Sequence, residues 1–130
     1  MREGFVTAKI VPAVGMEWLV DAAGCDRARL RDVPRLRALV DAVLSELRLV
    51  PVEAPVWHVF PGEAGVTAMV LLAESHLTLH TFPEHGTIAL NLYSCIERPS
   101  WPWRDRLALA LGATSVEVRS LARGRVAEPR

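Results

Sequence analysis

The sequence has little that would direct it to an oxidising compartment, a membrane or a nucleic acid. Its 130 residues include two cysteines, Cys25 and Cys95, which are too few for a disulfide framework. Fifteen basic residues balance fifteen acidic ones, whereas a nucleic-acid-binding protein normally carries a basic excess. The longest apolar run, residues 68–73, is far shorter than the roughly 20 residues of a membrane-spanning helix. Because the first residues also lack the basic-then-apolar order of a signal peptide, we expect a single-domain cytoplasmic protein over residues 1–130.

Hydrophobic periodicity predicts the helices and strands. A strand at residues 16–23 precedes a helix over residues 33–49, in which apolar side chains recur every three or four positions and Asp32 is a candidate N-cap. Residues 52–60, 66–73, 76–82 and 87–95 alternate or are β-branched, and turns rich in proline and glycine separate them, which predicts four antiparallel strands. A helix over residues 101–112 and a strand over residues 115–121 complete the order βαββββαβ.

This order predicts an α+β fold, a two-layer sandwich in which two helices cover one face of an antiparallel sheet. The opposite face of the sheet also needs cover, and a second subunit is the simplest cover for so small a chain. Residues 1–12 and 127–130 are expected to be loose ends.

Three of the four histidines fall between positions 76 and 85, and two common types of site are disfavoured there. His76 and His80 would lie about 13 Å apart along the predicted strand, whereas zinc ligands lie about 2 Å from the ion. No metal is therefore expected. A serine hydrolase places its nucleophile in a Gly-x-Ser-x-Gly elbow between a strand and a helix, but Ser75 lies between two predicted strands.

A longer string in this region resembles a known family. The string consists of Glu74-Ser75-His76, then His80-Thr81-Phe82-Pro83-Glu84, then Cys95. The other matching segments are Gly24-Cys25-Asp26, Trp57-His58-Val59-Phe60-Pro61, Gly65-Val66-Thr67 and Gly124-Arg125. Residues 15–125 as a whole resemble the prokaryotic S-adenosylmethionine decarboxylase proenzymes, and the predicted order of elements fits the two-layer fold of that family.

The resemblance implies that Ser75 becomes the cofactor of the enzyme. Its hydroxyl would attack the Glu74 carbonyl, and β-elimination would then cut the chain into residues 1–74 and 75–130, with a pyruvoyl group on the new N-terminus. A ketone there forms a Schiff base with the substrate amine and accepts the electrons left by CO₂. The expected product is decarboxylated S-adenosylmethionine, the aminopropyl donor of spermidine and polyamine biosynthesis. A homodimer of cleaved protomers is also implied.

Two further residues match the processing machinery of the family. His80 matches the histidine that takes a proton during the elimination step. Thr67 stands where the family has an assisting serine, so a hydroxyl is retained on a stiffer β-branched side chain. The resemblance therefore implies that Glu74, Ser75, His80 and Thr67 carry the cleavage.

Cys95 matches the cysteine that returns a proton to the substrate carbon after CO₂ has left. Strand alternation places Asn91 and Tyr93 on the same face as Cys95, so the thiol is expected to have a polar neighbour.

The substrate-binding residues implied by the resemblance surround one turn. Glu84 matches the acid that binds the ribose hydroxyls, and Phe82 is a candidate neighbour of the adenine ring. Pro61 falls at the family's stacking aromatic, and a small loop shift would bring Phe60 to that position. Two aromatic rings are a suitable environment for a planar base.

The sequence also allows other interpretations of the function and of single residues. The chain is alternatively a pyruvoyl-dependent decarboxylase of free arginine or ornithine, or an uncleaved non-catalytic subunit that only binds a partner. Cys95 is alternatively a small buried hydrophobe and His80 a satisfied core histidine. Cys25 is expected to be a structural core thiol, and His85 to lie in a solvent-exposed turn.

Overall fold

A computed structural model of the chain describes residues 9–10, 15–124 and 127–128. Its strands are β1 (Lys9–Ile10), β2 (Gly15–Ala23), β3 (Val56–Val59), β4 (Val66–Leu72), β5 (Ser75–Phe82), β6 (Thr87–Ser94), β7 (Ser115–Arg123) and β8 (Ala127–Glu128). Its helices are α1 (Arg27–Leu30), α2 (Val33–Glu46) and α3 (Trp103–Leu111).

Six strands form one antiparallel sheet in the order β3-β4-β5-β6-β2-β7. Strands β3, β4, β5 and β6 follow one another in sequence and are joined by residues 60–65, 73–74 and 83–86. Gly86 supplies the positive φ of 66° that closes the turn between β5 and β6. Strand β2 then lies between β6 and β7. The predicted α+β sandwich and its element order are confirmed, with α1 as an additional short helix.

The helices begin where the sequence offers caps. The Asp32 side chain accepts a hydrogen bond from the Arg35 backbone N–H at 3.2 Å, and a proline occupies the first turn of α2. Helix α3 ends at Gly112, which adopts a left-handed φ of 71°. The buried apolar residues of α2 are Leu36, Leu39, Val40, Val43 and Leu44, and those of α3 are Trp103, Leu107 and Leu111.

Strand alternation gives the sheet two different faces. One face packs against the helices and is buried, as the pattern of Val66, Ala68, Val70 and Leu72 in β4 illustrates. We call the other the open face. Its residues include Glu17, Leu19 and Asp21 in β2, Val56 and His58 in β3, Thr67, Met69 and Leu71 in β4, His76, Thr78 and His80 in β5, Asn91 and Tyr93 in β6, and Arg119, Leu121 and Arg123 in β7.

Some predicted boundaries are corrected. Helix α2 ends at Glu46 instead of residue 49, because Arg48 turns the chain with a φ of 56°. Strand β3 spans Val56–Val59 instead of residues 52–60. The expected loose ends pair where they are described, since β1 and β8 form an antiparallel ladder. Residues 1–8, 11–14, 125–126 and 129–130, and with them the matching Arg125, lie outside the described part of the chain.

Candidate active site

The Glu74–Ser75 peptide lies at the turn between β4 and β5. Ser75 begins β5, where it pairs with Leu72 of β4 and Ser94 of β6. Glu74 is exposed and Ser75 is half-buried. The Glu74 carbonyl oxygen accepts a hydrogen bond from the Cys95 backbone N–H at 2.8 Å. The peptide predicted to be cut is therefore accessible to solvent and held between neighbouring strands.

Cys95 follows β6 at this same end of the sheet. Its thiol is exposed, so the interpretation of Cys95 as a small buried hydrophobe is wrong. Its Sγ lies 3.9 Å from the Tyr93 hydroxyl oxygen, as strand alternation predicts for a polar neighbour. Cys25, by contrast, is buried as expected for a core thiol, and burial raises the pKa of Cys25. We call Glu74, Ser75, Tyr93 and Cys95 the serine end.

A polar network surrounds Tyr93 that the sequence did not predict. Asn91 Nδ2 donates to Glu17 Oε2 at 2.7 Å, and Arg123 forms an ion pair with the same carboxylate. The Asn91 hydrogen bond is the main cause that lowers the pKa of Glu17, and Arg123 adds to it. His76 stacks on Tyr93 with ring centroids 5.7 Å apart. The pairing of β2 with β6 and β7 brings Glu17, Asn91 and Arg123 together, and the pairing of β5 with β6 brings His76 to Tyr93.

Thr67 and His80 occur at the other end of the same strands. They are direct partners across β4 and β5, and Thr67 Oγ1 lies 2.9 Å from His80 Nδ1. One of the two atoms donates and the other accepts, according to the tautomer of the imidazole. His80 is exposed, so the interpretation as a core histidine is wrong. The two residues predicted to assist processing are therefore in contact.

A cavity of about 490 Å³ lies beside this pair. Its lining includes the predicted substrate-binding residues Phe60, Phe82 and Glu84 together with Thr67 and His80. Phe60 is 49% exposed and Phe82 is 43% exposed, so both rings have faces free for a ligand. We call these five residues the histidine end.

Two neighbours of the histidine end stand out. His58, which the sequence did not single out, packs edge-on against Phe60 with ring centroids 4.5 Å apart. His58 and Phe60 are two residues apart at the end of β3, and in a strand this spacing predicts side chains on the same face. His85 is exposed in its turn, as expected.

A family model described as S-adenosylmethionine decarboxylase matches residues 16–124. The chain belongs to the S-adenosylmethionine decarboxylase family. The resemblance seen in the sequence is thereby confirmed.

Curated relatives agree with this assignment over most of the chain. The S-adenosylmethionine decarboxylase proenzyme of Geobacillus kaustophilus is 36% identical over 115 residues, which cover 85% of this chain and 88% of the relative. That of Aquifex aeolicus is 31% identical over 117 residues, which cover 88% and 84%. The crystal structure of the adenosylmethionine decarboxylase from Aquifex aeolicus superposes with a TM-score of 0.75 at 28% identity, covering 92% of this chain and 98% of that one.

The family's predicted site residues fall into two groups within one chain. Ser75 and His80 are five residues apart on β5, which separates them by about 16 Å along the strand. Alternation also turns Ser75 toward the helix-covered face, whereas His80 lies on the open face. The structure thus brings Glu74, Ser75 and Cys95 together, and separately Phe60, Thr67, His80, Phe82 and Glu84.

Within residues 9–10, 15–124 and 127–128, no three histidine, cysteine, aspartate or glutamate residues are placed to hold a metal ion. Of the helices in the described part of the chain, none combines the length and apolar character that a membrane crossing requires.

Proposed function

We propose that this chain cleaves itself between Glu74 and Ser75 and then decarboxylates S-adenosylmethionine. The observation that carries the proposal is the hydrogen bond of 2.8 Å from the Cys95 backbone N–H to the Glu74 carbonyl oxygen. The proposal is supported because this hydrogen bond joins the predicted scissile peptide to the backbone of the predicted proton donor. The family assignment supports the same activity, since the relatives are named S-adenosylmethionine decarboxylase proenzymes.

The same hydrogen bond has a role in the proposed cleavage. When the Ser75 hydroxyl attacks the Glu74 carbonyl carbon, negative charge develops on the carbonyl oxygen. A backbone N–H that already points at this oxygen stabilises that charge without reorganisation. The amide becomes an ester, and β-elimination releases residues 1–74 as a carboxylate and leaves residue 75 as dehydroalanine. Water then adds to this residue and its nitrogen leaves as ammonia, which gives the pyruvoyl group.

A pyruvoyl group at residue 75 would lie at the end of a strand that pairs on both sides. The new N-terminus would be anchored by the pairing of β5 with β4 and β6, which holds it in place after the cut. The group supplies a ketone that accepts the electron pair left when CO₂ departs. Cys95 is exposed at the same end of the sheet and donates the proton that replaces CO₂ on the substrate carbon.

The histidine end supports a nucleoside substrate in preference to a free basic amino acid. Phe60 and Phe82 line one cavity with Glu84, and the two rings supply apolar contact to a planar base. The Glu84 carboxylate accepts hydrogen bonds from ribose hydroxyls. A free arginine or ornithine presents no such ring, so two exposed aromatic side chains at this cavity favour S-adenosylmethionine.

A homodimer reconciles the two ends of the sheet. Within one chain His80 is too far from Ser75 to assist its cleavage, since about 16 Å of β5 separates the two residues. The open face carries exposed apolar residues, among them Val56, Met69, Leu71 and Leu121. We propose that a second copy covers this face, with its histidine end beside the first copy's serine end. Two-fold symmetry then completes two sites at once.

The proposed context is cytoplasmic polyamine biosynthesis. Decarboxylated S-adenosylmethionine carries an aminopropyl group activated by the neighbouring sulfonium centre. A transferase that attaches this group to a diamine, giving spermidine, is the reaction class that consumes the product.

One set of measurements tests the proposed function. Purified protein should separate into fragments of residues 1–74 and 75–130, and the larger share of CO₂ release should come from S-adenosylmethionine when it is compared with arginine and ornithine. Ser75→Ala should remain intact and inactive. If CO₂ is released from arginine or ornithine but not from S-adenosylmethionine, the chain is a decarboxylase of that free amino acid. If the chain stays whole and inactive, only a non-catalytic binding role remains.

A further inference from the structure

Tyr93 is the single tyrosine of the chain, and its hydroxyl oxygen lies 3.9 Å from Cys95 Sγ. Tyr93 lies in β6 and Cys95 is the first residue after it, so strand alternation continued by one residue puts both on the open face. The proposed cleavage and decarboxylation do not otherwise involve this tyrosine. Its position beside the predicted proton donor makes it the polar group best placed to act on the thiol.

The Tyr93 ring is held from several directions. His76 of β5 and Glu17 of β2 are its direct cross-strand partners, and the His76 ring stacks on it at an interplanar angle of 27°. The Arg123 guanidinium lies 5.7 Å from the centre of the ring. Because Arg123 is also paired with Glu17, the cation is itself fixed.

A missing side chain makes room for the hydroxyl. A Cβ atom added at Gly15 would lie 2.7 Å from the Tyr93 hydroxyl oxygen and 3.1 Å from a ring carbon. Any larger residue at this position would therefore force the phenol to move. Glycine at the start of β2 therefore allows the phenol to occupy its observed position.

We propose that Tyr93 is a positioning residue that holds the Cys95 thiol and directs its proton to the substrate carbon. This inference rests on the proposed function of Cys95. When the proton is transferred, the S–H bond breaks, a C–H bond forms at the carbon that lost CO₂, and the electron pair of the S–H bond stays on sulfur. The Tyr93 O–H then donates a hydrogen bond to the resulting thiolate, and solvent later returns the proton to sulfur.

The acid–base character of the phenol agrees with this role. The hydrogen bond with Cys95 is the main cause that raises the pKa of Tyr93 above its ordinary value near 10. The phenol therefore keeps its proton at neutral pH and remains a donor. A hydrogen bond to a charged acceptor is worth more than one between neutral groups, so its loss should be measurable in the rate.

The test is Tyr93→Phe in the full-length, self-processing protein, with Ser120→Ala as a control that removes an exposed hydroxyl elsewhere on the sheet. The variant should cleave at the normal rate and keep KM for S-adenosylmethionine within about twofold, while kcat falls about tenfold. A second readout is where the proton goes. If the proton goes to the pyruvoyl carbon instead, water hydrolyses the resulting imine, the substrate carbon leaves as an aldehyde, and the nitrogen stays on the chain as an N-terminal alanine. Mass spectrometry of the 75–130 fragment should show this alanine accumulating faster in Tyr93→Phe.

Unchanged kcat and unchanged alanine formation in Tyr93→Phe would overturn the inference. A further measurement separates its failure from that of the proposed function. In uncleaved chains carrying Ser75→Ala, iodoacetamide should alkylate Cys95 more slowly when Tyr93→Phe is added, with buried Cys25 as the internal reference. If the wild-type chain releases no CO₂, the proposed function fails, and with it the direction of a proton to the substrate. The alkylation rate then tests whether Tyr93 holds the Cys95 thiol: slower alkylation supports this contact, and an unchanged or faster rate refutes it.

Discussion

Thr67 Oγ1 and His80 Nδ1 lie 2.9 Å apart across β4 and β5, at the opposite end of these strands from Ser75. The pair is well placed to move a proton, because each group fixes the orientation of the other. It is badly placed to reach the serine of its own chain, since five residues of extended strand intervene. The proposed self-cleavage therefore depends on what brings a histidine end close to Ser75.

Mixing two inactive variants tests whether the His80 that acts on Ser75 belongs to a second copy of the chain. His80→Ala chains should remain uncleaved alone, and so should Ser75→Ala chains. When both are produced together, a mixed dimer combines the serine end of the His80→Ala chain with the histidine end of the Ser75→Ala chain. We expect cleavage of the His80→Ala chain to return, to at most about half of those chains in a random mixture of dimers.

The cleaved chain in this mixture is identified by a mass tag on one of the two variants. As a control, Ser75→Ala mixed with Ser75→Ala,His80→Ala supplies no competent serine and should give no fragments. If His80→Ala cleaves alone at the wild-type rate, His80 has no part in processing. If the mixture gives no cleavage while each variant dimerises, the site does not combine residues of two copies.

The hydroxyl of Thr67 gives a second prediction. Thr67→Val keeps the shape of the side chain but removes the hydrogen bond to His80, so self-cleavage should slow by at least about tenfold. Thr67→Ser keeps the hydroxyl without the stiff β-branch and should cleave at least as fast as the wild type. Both rates are read from the conversion of full-length chain to fragments over time.

Thr78→Val is the matched control for this experiment. Thr78 belongs to β5 and to the open face, but its hydroxyl is not part of the Thr67–His80 contact. It should therefore cleave normally. Equal cleavage rates for Thr67→Val and Thr78→Val would show that the Thr67 hydroxyl is not needed.

The cavity at the histidine end gives a third prediction. Phe82→Ala should leave cleavage intact and raise KM for S-adenosylmethionine about fivefold, because an aromatic pair contributes on the order of 1 kcal/mol beyond its burial. Leu109→Ala is the control, since Leu109 is 77% exposed on α3 and lies outside this cavity. If KM is unchanged in both Phe82→Ala and Phe60→Ala, the adenine ring does not bind in this cavity.

Local periodicity was sufficient to predict most of the fold. The alternating burial of β4 and β5 and the apolar stripe of α2 both follow from side-chain spacing within a single element. Helix α1 was missed because its four residues bury only Leu30, which is too short a pattern to recognise. The ladder between β1 and β8 joins the two ends of the chain, and no local pattern reports such a contact.

The site was predicted as a set of residues but not as an arrangement. The rise per residue in an extended strand argues against a metal bound by His76 and His80. The same rise separates Ser75 from His80, and this distance can be predicted from β5 alone. The polar network around Tyr93 has a different origin. Glu17 and Arg123 reach it from β2 and β7, which pair with distant segments, so their proximity depends on sheet order and register.

Because Tyr93 is the single tyrosine of the chain, its ionisation can be followed directly by ultraviolet absorbance. The hydrogen bond with Cys95 raises the pKa of Tyr93, so tyrosinate should appear at higher pH than in a model peptide, whose value is near 10. In Cys95→Ala this cause is removed, and the titration should shift toward lower pH. Cys25→Ala is the matched control, because Cys25 is buried elsewhere and should leave the curve of Tyr93 unchanged while both variants stay folded by circular dichroism. Superimposable titrations of the wild type and Cys95→Ala would mean that the thiol and the phenol do not interact in solution.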